Sequence, residues 1–221
     1  MQTDFQTIAT QATQFIMPEG ILTLFACAAL VLDVMLPRDR KRFVAWVSLA
    51  GVGFSFISLW ILYGTVSKGA PRTAFFDMIV LDSYAVVFKS IFLIGAAFSI
   101  LLSIKYLEIE GEQRGEYYGL ILFSVIGMMF MASSVDVLAL FISLELMAVS
   151  VYILVGYFRR DKKSNEASMK YFLLGAFSSG VLLYGISMIY GLTGSTNLAK
   201  IGKTVEKQSA EHREACGFYA H

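Results

Sequence analysis

Residues 137–158 read VLALFISLELMAVSVYILVGYF, a stretch that carries one charge, Glu145. A spanning helix needs about 20 mostly apolar residues, because the hydrocarbon core is about 30 Å thick and a helix rises about 1.5 Å per residue. The stretch meets that length. It does not alternate apolar and polar residues as a barrel strand does, and a helix satisfies its backbone groups internally, as lipid demands. Five more segments meet the length or come close: residues 15–36, 43–66, 79–104, 117–134 and 168–190, of which 117–134 is the shortest. The expectation is an all-α, polytopic membrane protein, a bundle of about six transmembrane helices.

Composition agrees. Of the 221 residues, 57% are hydrophobic and 16% charged, against about 45–50% and about 25% in soluble domains. Mean hydropathy is +0.65. A net charge of +1 gives no basic field for nucleic acid. Two cysteines, Cys27 and Cys216, build neither a disulfide framework nor a four-thiolate metal site. His212 and His221 both lie in the last ten residues, so no apolar segment offers a histidine to haem or buried zinc.

Residues 1–14 contain no Lys or Arg, unlike the basic start of a cleavable signal peptide, so the first apolar run reads as a retained helix. Lysine and arginine in the loops set orientation. One side collects Arg38, Arg40, Lys41 and Arg42, then Lys105 and Arg114, then Arg159, Arg160, Lys162 and Lys163. The other holds the N-terminus, the turn after Ser134, and a loop at 67–78 with Lys68 and Arg72. The N-terminus is therefore expected outside. Three parts follow: an outer (periplasmic) N-terminal segment at 1–14, a six-helix domain at 15–190, and a polar tail at 191–221. The tail carries Lys200, Lys203, Lys207 and Arg213 on the side where alternation disfavours them. Either the rule tolerates this at a chain end or the tail is foreign to the fold. Its Gly202-Lys203-Thr204 lacks the first glycine of a phosphate loop, with Asn197 in that place, and is not a nucleotide site.

Ionisable residues within hydrocarbon cost about 2.5–3.5 kcal/mol on insertion scales, so each needs an explanation. Glu145 sits about eight residues into its segment, about 12 Å deep and too far from either end to snorkel. It reads as a proton-carrying carboxylate; the alternative is a protonated acid that packs helices. Lys89 lies at similar depth in the third segment, where it could pair with Glu145 if those helices touch and serve transport. Its alternatives are a structural ion pair or a lysine facing a wet crevice. Lys170, near the start of the sixth segment, reads by position as a snorkelling lysine, with Glu166 four residues earlier. Glu19, beside Pro18, is explained by capping the positive end of the first helix. Asp33, Asp82 and Asp136 are boundary residues. The small residues from Gly175 to Gly180 suit close helix packing.

Ser134-Val135-Asp136-Val137-Leu138-Ala139-Leu140-Phe141, with Leu144-Glu145-Leu146 and Tyr152-Ile153-Leu154-Val155-Gly156-Tyr157, resembles the fifth-helix signature of the antiporter-like membrane subunits of bacterial NADH–quinone oxidoreductase (respiratory complex I). The run from Glu166 to Phe177, Leu183-Tyr184-Gly185, Pro18-Glu19 and the segment from Asp82 to Lys89 are similar to the same family. The resemblance spans about residues 15–202. It implies a membrane-arm subunit in the bacterial inner membrane that moves protons through a buried Glu/Lys relay, driven by quinone reduction elsewhere in the complex. By motif, Glu145 matches the family's fifth-helix glutamate and Lys170 the lysine of the sixth, and Lys89 is a further relay candidate. The resemblance also implies that this chain binds no cofactor and catalyses no redox step alone, since NADH, FMN, iron–sulfur clusters and quinone belong to partner subunits. Related alternatives are a subunit of a multi-subunit cation/proton antiporter and a non-transporting scaffold. Family members continue through about eight further helices in a second inverted repeat. Here Lys203-Thr204-Val205-Glu206-Lys207-Gln208-Ser209 stands in place of the next apolar helix, so the expectation is a truncated or frame-shifted product, or else a natural short form.

Overall fold

A computed structural model describes residues 15–37, 41–66, 72–75, 77–110 and 114–218. The N-terminal segment 1–14, Arg38, Arg40, Lys68, Glu112 and His221 lie outside these, as do the side chains of Arg72, His212, Arg213 and Cys216.

Seven helices and one hairpin follow in order: α1 (Met17–Met35), α2 (Arg42–Val66), β1 (Arg72–Ala74), β2 (Ile79–Leu81), α3 (Ser83–Ile109), α4 (Glu116–Ser133), α5 (Val137–Val155), α6 (Lys162–Thr193) and α7 (Leu198–Phe218). The first six are long and apolar enough to cross a membrane. They correspond to the six expected segments, with the starts of the third and sixth displaced. The third span begins at Ser83 because Ile79–Leu81 pairs antiparallel with Arg72–Ala74 (Arg72 opposite Leu81). Asp82 then caps α3, accepting from the Ala85 N–H at 2.7 Å. The sixth helix begins at Lys162 rather than 168, because Asp161 caps it through the Lys163 N–H. Most of the expected loop 159–167 is therefore the first turns of α6. The tail is helical over Leu198–Phe218.

Helices α1 to α4 form a closed ring: α1 packs on α2, α2 on α3, α3 on α4, and α4 back on α1. This is an up-down four-helix bundle. Its core is lined by Leu22 and Ala26 of α1, Val52 and Leu59 of α2, Leu93 and Ile100 of α3, and Leu122 and Met129 of α4, all buried. The stripe on α3 runs Val86, Lys89, Leu93, Ala96, Ile100, Ser103 and Leu107, a strict three-four spacing that keeps one helix face inward. Helix α4, the shortest span, is also the most buried, because it closes the ring on one side and receives α5 on the other.

The α4–α5 contact depends on Gly127. A Cβ there would lie 2.7 Å from both the Met147 nitrogen and the Ser143 oxygen, so only glycine lets the backbones approach this closely. Helix α6 then lies on α5 and is otherwise largely exposed. Hairpin, α4–α5 turn and α6–α7 turn meet at one end. Val135 N–H donates to Met78 O (2.9 Å), Val137 N–H to Thr196 O (2.9 Å) and Leu198 N–H to Val135 O (3.0 Å).

Candidate functional site: ionisable groups inside the bundle

Among the described residues, three charged side chains are buried: Glu19, Lys89 and Asp136. Asp136 is an N-cap. Its carboxylate accepts from the Leu138 and Ala139 N–H groups at 2.9 and 3.3 Å, and Thr196 Oγ1 donates to its other oxygen at 2.5 Å. The anion thus meets the N-terminus of α5, where the helix dipole favours it.

Glu19 and Lys89 are a different case. Glu19 occupies the inward stripe of α1 with Leu22, Ala26 and Ala29, and Lys89 the inward stripe of α3. Neighbouring helices form the walls of the ring, so this pair crosses its diagonal. Lys89 Nζ lies 2.5 Å from Glu19 Oε1, and each side chain is 1% exposed. The approach falls outside hydrogen-bonding angles, so neither carboxylate oxygen has a hydrogen-bond donor among the described residues. Two sequence expectations change here. Lys89 meets Glu19 rather than Glu145, because α3 faces the ring core while α5 packs outside it on α4. Glu19 stands in the first turn of α1 as expected, but it caps no N–H there, because its side chain points into the core. Its three-four spacing to Leu22, Ala26 and Ala29 was the sequence signal for this.

Glu145 is half-buried on α5. It lies eight residues after Val137, about 12 Å along the helix from the hairpin end. Its Oε1 accepts a short hydrogen bond from Ser179 Oγ of α6. The serine thus supplies a cross-helix donor to a carboxylate inside a membrane span, from a small-residue run whose expected part was close helix packing. Nearby, Tyr152 of α5 stacks edge-on against Tyr171 and Phe172 of α6, with centroids 4.9 and 5.9 Å apart.

Lys170 lies on the exposed face of α6, its side chain 75% exposed, with Nζ 2.5 Å from Glu166 Oε1. Ser179 is nine residues further on, so Lys170 sits about 13 Å along the axis from the level of Glu145. Glu145, the Lys89–Glu19 pair and the Lys170–Glu166 pair thus stand apart, not in one assembled Glu–Lys site. At the end opposite the hairpin, Asp33 joins Lys41 Nζ (2.8 Å) and the Gly115 N–H (2.6 Å), a boundary role as expected. No group of three or more His, Cys, Asp or Glu residues suited to a metal occurs among the described residues.

These features define a polytopic α-helical membrane protein with titratable side chains held inside its bundle. Residues 134–220 match the sequence model of the family described as NADH:quinone oxidoreductase/Mrp antiporter, transmembrane. The chain is 48% identical over 201 residues to NADH-quinone oxidoreductase subunit N 1 of Koribacter versatilis, a match covering 89% of this chain and 39% of that one. It is 45% identical over 204 residues to subunit N of Trichlorobacter lovleyi, covering 91% and 40%. Among solved structures, it superposes on a chain of respiratory complex I from Thermus thermophilus with bound aureothin at a TM-score of 0.66, with 29% identity, covering 82% of this chain and 38% of that one. The chain belongs to the antiporter-like membrane-subunit family of complex I, and it is a multi-pass membrane protein. It spans about two fifths of the length of the curated relatives it matches.

Proposed function

We propose that this chain acts as a membrane-arm subunit of a proton-translocating NADH–quinone oxidoreductase in a bacterial inner membrane. It moves protons through buried carboxylate and amine groups while quinone is reduced elsewhere in the complex. In this reading Glu145 carries the proton, and Lys170 and Lys89 belong to the relay. The observation that carries the reading is Glu145 itself: a carboxylate about 12 Å into an apolar span, too deep to snorkel and served by the Ser179 hydroxyl of the adjoining helix.

Placing the N-terminus and residues 1–14 outside, residues 15–190 across the bilayer and the tail 191–221 outside follows from the cation-rich loops. NADH, FMN, iron–sulfur clusters and quinone are then handled by partner subunits of the membrane and peripheral arms, and the isolated chain performs no redox step. The test is Glu145→Gln in the assembled complex. Proton translocation should fall while the complex still assembles; normal pumping would defeat the assignment.

The family description names the Mrp antiporter as well, so a subunit of a multi-subunit cation/proton antiporter is the second reading. Flanking genes decide between them: genes for other complex I subunits favour the first, and genes for antiporter subunits the second.

A further inference from the structure

We infer that Glu19 and Lys89 form a second proton-holding station, separate from Glu145, in which one proton is shared between Lys89 Nζ and Glu19 Oε1. The inference rests on the proposed transport role and extends it to a pair of groups in a different part of the molecule.

Four observations carry it. Both side chains are 1% exposed. They meet across the diagonal of the α1–α4 ring, with apolar residues along the rest of both stripes except Ser103, whose hydroxyl is bonded to the Ser99 carbonyl. Apart from the α5 cap Asp136, no other charged side chain is buried among the described residues. Finally, the carboxylate has no hydrogen-bond donor among the described residues. A buried ion pair repays the loss of water only when its remaining lone pairs are satisfied; otherwise apolar residues of similar volume serve stability as well or better. This pair fails that condition, so stability does not account for it.

Its chemistry suits a proton. Transfer requires an N–H of Lys89 aligned with Oε1, at the separation the pair already has. Transfer along that axis breaks one N–H bond and forms one O–H bond, turning the ammonium and carboxylate into an amine and a carboxylic acid. Both charges vanish together from a low-dielectric core, which offsets the cost of leaving the ion pair. A charge arriving nearby then tips the balance between the two forms. Charged groups on the elements around the pair are Asp82, the α3 cap seven residues before Lys89, and Asp136, buried at the α5 cap. From α2, the buried Ser55 hydroxyl is committed to the Pro18 carbonyl at 2.8 Å, and from α4 the Ser133 hydroxyl bonds the Met129 and Phe130 carbonyls at 3.2 Å.

The decisive variant is the apolar swap Glu19→Leu with Lys89→Met in the assembled complex. The station predicts normal assembly with proton translocation lost. Wild-type translocation in the swap overturns the inference, because a merely structural pair is what such a swap replaces without loss. A second measurement does not depend on the swap folding. In infrared difference spectra between the full chain and Glu19→Gln, both in phosphatidylcholine vesicles, a protonated-carboxyl band should be present only in the unsubstituted chain. A spectrum in which Glu19→Gln removes no such band also overturns it. Normal pumping by Glu145→Gln would instead defeat the proposed function, while the infrared measurement still reads Glu19 directly.

Discussion

Replacing Lys89 alone by methionine leaves the Glu19 carboxylate inside the ring with no compensating charge. Removing one partner of a buried pair costs about 3–5 kcal/mol, so the thermal midpoint of the purified chain in detergent should drop well below that of the apolar double swap. Equal midpoints would mean that water reaches Glu19. Lys170 behaves differently, because its side chain is 75% exposed and pairs with Glu166 on the same helix face. Exposed pairs of this kind contribute about 0.3–0.5 kcal/mol. Lys170→Ala should therefore leave stability nearly unchanged and lower translocation less than Glu145→Gln does. A larger loss would show that Lys170 becomes buried in the assembled complex. Of these ionisable residues, Glu145 and Lys170 were legible in sequence as charges in an apolar or half-apolar setting. The partner of Lys89 was not, since a diagonal contact across a ring depends on which helices close it. The burial of Glu19 was hidden for a related reason. Position near a helix start suggests capping, and only the inward stripe with Leu22 and Ala26 says otherwise.

At the level of elements, α4 and α5 are locked by Gly127, and α5 is aligned to its neighbours by Asp136. Gly127→Val would push a branched side chain against the Met147 nitrogen and Ser143 oxygen, atoms that cannot move without parting the helices. Overpacking costs about 1–3 kcal/mol. The expected result is a lower thermal midpoint, and a midpoint equal to wild type would mean α5 can slide on α4. Asp136→Ala removes a helix cap, about 1 kcal/mol by itself, and also strands the Thr196 hydroxyl. Hydrogen exchange at the α5 N-terminus and at the 194–198 turn should rise together. A rise at α5 alone would show that the turn is held by its backbone bonds. Segment existence was legible because length and apolarity suffice for it. Segment ends were not. Ile79–Leu81 is an apolar triplet that suits strand or helix equally, and Lys162 and Lys163 signal a membrane boundary without saying whether the backbone there is helical.

For the whole molecule, orientation follows from where cations collect, and it can be measured. In a Cys27→Ser, Cys216→Ser background, Asp77→Cys at the hairpin end should react with a membrane-impermeant thiol reagent added outside sealed cells. Arg159→Cys, at the opposite end, should not. The reverse pattern would invert the topology.

The ring of α1 to α4 closes on itself, whereas α6 lies on α5 beyond it. Helix α6 is pinned at the hairpin end by Thr196 on Asp136, just past Gly194, whose φ of +66° ends the helix. A swing of α6 about that pivot sweeps the widest arc at its far end, where Lys170 sits, and a smaller one at Ser179. It would stretch the Ser179–Glu145 link while leaving the Glu19–Lys89 diagonal at rest. The two ionisable centres therefore answer to separate mechanical degrees of freedom, so a push on one need not disturb the charge held at the other.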